Sequence, residues 1–150
     1  MADQIHPIYR IWFLWVDPVL TLAGIYGNLF NHDLATMTFF ANYPPTEELK
    51  PFVYLLGGMG GSFFCLFVLL LRYTHDVNVW KIVQFGILWA DFAMLTGMYV
   101  GMRLENRVAI SNWRMEDWVG GGITVACTLL RALFVLGVGV RQSTSKAKRV

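Results

Sequence analysis

The chain has 150 residues, 56% hydrophobic and 15% charged, with 12 Lys and Arg against 10 Asp and Glu and a formal net charge of +2. A soluble domain carries roughly 25% charged residues, so this composition excludes a disordered chain, a nucleic-acid-binding module and an ordinary cytosolic domain. The small net charge points to no polyanionic partner, and Cys65 and Cys127 both lie in apolar runs, where they build neither a disulfide framework nor a metal set.

A bilayer core about 30 Å thick needs about 20 apolar residues per helix, and a mean hydropathy of +0.50 accompanies four such runs. The expected fold is all-α: one integral membrane four-helix bundle spanning 1–150. The first run, Ile11–Phe30, is too long for a cleaved signal peptide and is interrupted by Asp17-Pro18, so it reads as a permanent first helix. The second, Pro51–Leu71, holds Gly57, Gly58, Gly60, Gly61 and Ser62, small residues that permit close helix approach. The third, Ile82–Met102, carries Gln84 and Asp91, and the fourth, Trp118–Val140, carries Gly121, Thr124, Thr128 and Arg131.

Four spans put the N-terminus, the second loop and the C-terminus on one side. That side holds Arg10, Arg72, Lys81, Arg141, Lys146, Lys148 and Arg149, while the other holds Lys50, Arg103, Arg107 and Arg114. The basic excess places both termini in the cytosol. Tyr9, Trp12, Tyr73, Trp80, Trp113 and Trp118 fall near span ends, as an interfacial aromatic belt would. Lys146-Ala-Lys148-Arg-Val150 fits a dilysine retrieval signal of the endoplasmic reticulum, and equally a basic tail attracted to anionic headgroups.

Within the four spans the residues ionised at neutral pH are Asp17, Asp91 and Arg131. Each costs about 2.5–3.5 kcal/mol at a helix centre, which disfavours contact with lipid. At 1.5 Å per residue they lie roughly 9, 14 and 14 Å from the cytosolic ends of their spans, so one shared polar pocket is expected. The first helix presents Phe13, Asp17, Thr21, Gly24 and Asn28 on one face, and Gly121, Thr124 and Thr128 (or Cys127) lead to Arg131, so each charge continues a polar stripe. Two carboxylates for one guanidinium exceed what a simple structural lock requires, and one of them is expected to hold a proton. An ionised and a neutral carboxyl side by side form the pair that a general base and a general acid need.

The motifs Pro7-x-Tyr-Arg10, Asp17-Pro18, Trp89-Ala-Asp91, Trp113 and Leu129-Leu-Arg131 cover nearly the whole chain. With them the sequence resembles small fungal four-helix membrane proteins of secondary-metabolite clusters. Some of these are similar to membrane-bound epoxide-opening hydrolases and cyclases of polyketide and meroterpenoid pathways. The residue before the proline is commonly Glu in that family, and Asp17 is one carbon shorter. The resemblance implies acid/base chemistry on an apolar epoxide, and the site would be analogous to the Asp-Arg-Asp arrangement of limonene-type epoxide hydrolases, on a different fold.

Epoxide opening needs a proton donor to the ring oxygen and, for hydrolysis, a base that activates water. Asp91 is the expected base, Asp17 the protonated donor and Arg131 the group that keeps one carboxylate ionised, with the two acid roles exchangeable. Gln84, Asn28, Thr21, Thr128 and Trp89 are the expected supporting or substrate-lining residues. No cofactor or metal is expected; the partners are an apolar small molecule and the lipid bilayer. Water is expected to reach the pocket from the cytosolic end. Two other readings remain. In one, a protonation-initiated terpene cyclase or isomerase uses Trp15, Phe85, Trp89 and Phe92 to stabilise a carbocation. In the other, a non-catalytic lipid-binding or assembly subunit uses the charges as a lock.

Overall fold

Each apolar run folds as a helix: α1 Pro7–Phe30, α3 Lys50–Tyr73, α4 Val77–Leu104 and α5 Met115–Val135, of 24, 24, 28 and 21 residues. All four are long and apolar enough to cross a membrane, since at 1.5 Å per residue even the shortest spans about 30 Å. The structure, a computed structural model, describes residues 5–41 and 46–140. A short helix, α2 (His32–Met37), follows α1, and a 3₁₀ turn at Ile110–Asn112 precedes α5. Among the described residues there is no strand, only an isolated bridge between Ile5 and Val140.

Three helix boundaries differ from the sequence expectation by four or five residues. α4 starts at Val77 instead of Ile82, where the Asp76 side chain accepts the Asn78 N–H, and the other two also have local reasons. The first helix starts at Pro7 instead of Ile11: Pro lacks the N–H that a helix start would leave unpaired, and the His6 ring accepts the Ile8 N–H at 3.3 Å. The last helix stops at Val135 instead of Val140. Gly137 takes φ +89°, and the Val138 N–H reaches the Leu133 carbonyl at 3.0 Å while the Gly137 N–H reaches Phe134 at 2.9 Å. This is a Schellman ending, which a glycine adopts without steric cost. The chain then turns back, and the His6 N–H meets the Gly139 carbonyl at 3.2 Å. Residues 5–6 and 139–140 therefore lie together at one end of the bundle, called here the terminal end.

Pro18 shapes the middle of α1. It has no N–H for the Leu14 carbonyl, and the turn Trp12–Val16 widens into π-helical geometry. The freed Leu14 oxygen accepts instead from Arg72 Nη2 at the end of α3, at 2.8 Å. Arg72 also lies over the Trp15 ring, 4.4 Å from its centroid.

α1 packs chiefly on α3, and α4 on α5. Gly57 and Gly60 make the first contact close: a Cβ at Gly57 would come within 2.5 Å of Leu29, and one at Gly60 within 3.0 Å of Ile25. Gly58 and Gly61 face open space, so only half of the glycine cluster serves this packing. Between the two helix pairs, near the terminal end, Tyr9, Phe13, Phe67, Leu71, Trp80, Ile87 and Phe134 form a continuous core. The Phe134 ring stands 5.1 Å from Tyr9, 5.3 Å from Phe13 and 6.4 Å from Trp80. Tyr9 and Trp80 are thus buried core residues, not members of an interfacial belt, whereas Tyr73 and Trp118 are exposed as that belt requires.

The surface is apolar along all four long helices, with exposed Ile11, Val19, Leu55, Leu69, Ile82, Val125 and Leu129 among many. The buried set, by contrast, includes Asp17, Gln84, Arg107, Asp117, Thr128 and Arg131. Helices whose solvent is lipid show this distribution, because outward apolar groups cost nothing there and polar groups must find partners inside.

A Cβ added at Gly101 would lie 2.4 Å from the Phe39 carbonyl oxygen, a backbone atom that cannot move alone. Gly101→Ala is expected to cost about 1–3 kcal/mol by overpacking, read as a lower thermal midpoint in detergent. Gly58→Ala, in open space, should leave the midpoint unchanged or raise it.

Candidate functional site: a buried Asp-Arg-Asp cluster

Helical side chains lean toward the N-terminus of their own helix. α1 and α4 run away from the terminal end and α5 runs toward it, so Asp17 and Asp91 lean toward Arg131 while Arg131 reaches inward to meet them. Arg131 Nη2 lies 2.8 Å from Asp17 Oδ2, Nη1 pairs with Asp91 Oδ2, and Nε donates to Gln84 Oε1 at 3.0 Å. The guanidinium is engaged along every edge, and through it α5 is tied to α1 and to α4. The three charges expected together are in contact.

The two carboxyl groups differ. The Asp17 side chain is 2% exposed and that of Asp91 13%, so Asp91 is the one that opens toward the surface of the bundle. Asp17 Oδ1 accepts the Cys127 S–H at 3.8 Å. Asp17 Oδ2, although in contact with Arg131, is out of line for a hydrogen bond, and Gln84 Nε2 and Trp12 Nε1 are likewise buried without an aligned partner. The Trp12 indole lies beside the Cys127 thiol. Trp12 and Cys127 thus border the cluster: Cys127 is the expected alternative to Thr128 on the stripe, whereas Trp12 was expected only at a span end. The available signal was that Cys127 lies four residues before Arg131, on the same helix face.

The other expected residues are placed differently. Thr21 donates to the Asp17 carbonyl at 2.8 Å, Asn28 to Gly24 at 2.8 Å and Thr128 to Thr124 at 2.7 Å. The polar stripe is therefore spent largely on backbone carbonyls one turn back, and Asn28 lies three turns beyond Asp17. Trp89 is 67% exposed and stacks edge-on with Phe85 outside the bundle. Trp15, Phe85 and Phe92 are exposed too, so these four aromatic rings do not surround the cluster. Gln84, with no exposure at all, is the supporting residue that reaches it.

Access also departs from expectation. The Tyr9–Phe13–Trp80–Phe134 core closes the terminal end immediately beside the cluster, where water was expected to enter; Phe13 and Phe134 are wholly buried. The opposite end carries a second buried ion network. Arg107 pairs with Asp117 and, at 2.7 Å, with Glu105, while Arg114 pairs with Asp117 at 3.0 Å. Arg107 and Arg114 also donate to the Phe39 and Met37 carbonyls at 3.2 and 2.9 Å, and Glu105 accepts the Ala41 N–H at 2.8 Å. Burial works against the Arg107 charge, and the carboxylates of Asp117 and Glu105 more than offset it, holding this guanidinium above its ordinary range. The network pins the segment after α2 across the α4–α5 end. In the sequence these residues read only as loop charges.

Removing Arg131 would leave two carboxyl groups facing each other between helices. Arg131→Gln is expected to cost about 3–5 kcal/mol, measured as loss of folded protein in detergent. Arg131→Lys should recover part of this, since an ammonium restores the charge but not the planar fork.

No curated protein matches the chain, and no solved structure does. The family described as Domain of unknown function (DUF7704) matches residues 2–141, which include the whole Asp17–Asp91–Arg131 cluster, and the chain belongs to that family.

Proposed function

We propose that the protein is a membrane-embedded, cofactor-independent epoxide hydrolase or epoxide-opening cyclase of fungal secondary metabolism, acting on an apolar polyene or polyketide epoxide. The observation that carries this reading is the buried cluster itself: two carboxyl groups share one guanidinium, and Asp17 Oδ2 and Gln84 Nε2 beside it lack an aligned hydrogen bond. One proton shared between the carboxyls balances the single positive charge and leaves one acid and one base.

In the hydrolytic reaction Asp91, the more open carboxylate, takes a proton from water as the water oxygen attacks an epoxide carbon. The ring C–O bond breaks, and the ring oxygen takes the proton held on Asp17 Oδ2. The product is a vicinal diol, and proton transfer from Asp91 back to Asp17 restores the starting state. Gln84 Nε2 is a donor for the ring or water oxygen. In a cyclase, a hydroxyl of the substrate replaces water. With the terminal end closed by aromatic side chains, an apolar epoxide enters laterally from lipid, past Asp91.

Microsomes containing the protein should convert an epoxidised polyene to a diol, with oxygen from heavy-isotope water in the product; a ring closed without that label marks the cyclase. Asp17→Asn and Asp91→Asn should each lower the rate by about 10²–10⁴ at unchanged amounts of folded protein. Full activity in either variant rejects the assignment.

The full engagement of Arg131 favours a second reading, a lipid-binding or assembly subunit in which the cluster only joins the helix pairs. Replacement of Asp17, Asp91 and Arg131 together by Asn, Asn and Gln discriminates: a lock predicts severe loss of stability, and a mild effect contradicts it.

The same reading places the protein in the endoplasmic reticulum with both termini cytosolic. The support for that orientation is the sequence excess of seven basic residues against four: Arg10, Arg72 and Lys81 at the terminal end count toward it together with Arg141, Lys146, Lys148 and Arg149, which lie outside the described residues. A tag after Val150 should be digested by protease added to sealed microsomes, and its protection would reverse the orientation.

A further inference from the structure

At the terminal end, separate from the Asp-Arg-Asp cluster, the first turn of α1, the end of α3 and the start of α4 enclose a cleft of about 130 Å³. Ile5, Leu71 and Trp80 form its buried apolar floor, with Leu14 beside them. Arg10, Arg72, Thr74 and His75 form its rim.

We propose that this cleft binds the phosphate group of an anionic lipid. Arg72 is already held in place: one N–H is committed to the Leu14 carbonyl at 2.8 Å, and its guanidinium carbon lies over the Trp15 ring, 4.4 Å from the centroid. A guanidinium held in this way loses little side-chain entropy when it meets an anion. Among the described residues, the acid next to the rim in sequence is Asp76, which caps the start of α4 by accepting the Asn78 N–H at 2.8 Å.

Size and position suit a headgroup better than a free ion. A cleft of about 130 Å³ holds several water-sized groups, room for a phosphate and the glycerol carbons attached to it. The apolar floor would be wasted on inorganic phosphate but covers those carbons. Exposed Ile8, Ile11, Leu69 and Leu70 continue from the cleft along the helix surfaces, giving the acyl chains an apolar path. Basic pockets between helices at a membrane surface recognise lipid headgroups by this combination of charge and apolar wall.

The test uses the full chain in detergent and native mass spectrometry with dioleoyl phosphatidic acid and dioleoyl phosphatidylcholine. Phosphatidic acid should be retained as a single tightly held lipid in preference to phosphatidylcholine. Arg10→Gln and Arg72→Gln should each weaken its retention about fivefold, the contribution of one basic residue at a lipid surface. Arg72→Gln also strips the cap from Leu14, so Arg10→Gln and His75→Gln keep the test intact if that variant fails to fold. Inorganic phosphate that displaces the lipid at millimolar concentration would identify the phosphate site with a free ion as its source. Equal retention of the two lipids, or undiminished phosphatidic acid binding in well-folded Arg10→Gln, overturns the proposal. None of these readouts depends on epoxide opening, so they stand or fall independently of that activity.

Discussion

A guanidinium with no access to water must find an acceptor for each edge, and the arrangement of the helices follows from that demand on Arg131. α1 is packed on α3 and α4 on α5, so two helix pairs could slide or separate along the seam between them. Arg131 spans that seam, reaching Asp17 on one side and Asp91 and Gln84 on the other. Lipid adds no hydrophobic drive to helix association, which leaves close packing and polar contacts to hold the bundle. The glycine contacts at Gly57 and Gly60 hold one pair together, and the ion cluster and the neighbouring aromatic core join the two pairs.

The bundle is closed differently at its two ends. Near the termini, stacked aromatic rings exclude water from the cluster. At the far end, Arg107, Arg114, Glu105 and Asp117 fasten the segment after α2 by its backbone carbonyls and an N–H. Ionised groups suit that end because it lies at the edge of the apolar spans, where each buried charge is answered by a partner beside it. The Asp-Arg-Asp cluster lies between the two closures, and Asp91 is its most open member. The proposed lateral route for an apolar epoxide is the one compatible with both closures.

Asp17-Pro18 illustrates how one local feature links remote parts. The missing N–H of Pro18 frees the Leu14 carbonyl, and Arg72 from the end of α3 takes its place. The same Arg72 then forms the rim of the cleft at the terminal end. A backbone defect one turn from the buried cluster and a basic surface site are therefore parts of one construction.

Length, hydropathy and the rarity of charge in apolar runs determined the four helices and singled out Asp17, Asp91 and Arg131, because a membrane-spanning helix tolerates an ionisable residue only where another helix can answer it. Helical periodicity also put Gln84 on the face of Asp91. Periodicity alone could not tell which hydroxyls reach the cluster, since Thr21 and Thr128 have carbonyls of their own helix within easier reach. Nor could it tell which aromatics face inward: Trp80, flanked by Asp76, Asn78 and Lys81, is core, and Trp89, inside the apolar run, is surface. The end of α5 depended on two glycines taking positive φ, and the burial of Arg107 and Asp117 depended on a loop folding back across the bundle. Those outcomes were decided by tertiary structure, because each rests on a partner distant in the chain or on a backbone turn that apolar periodicity does not encode.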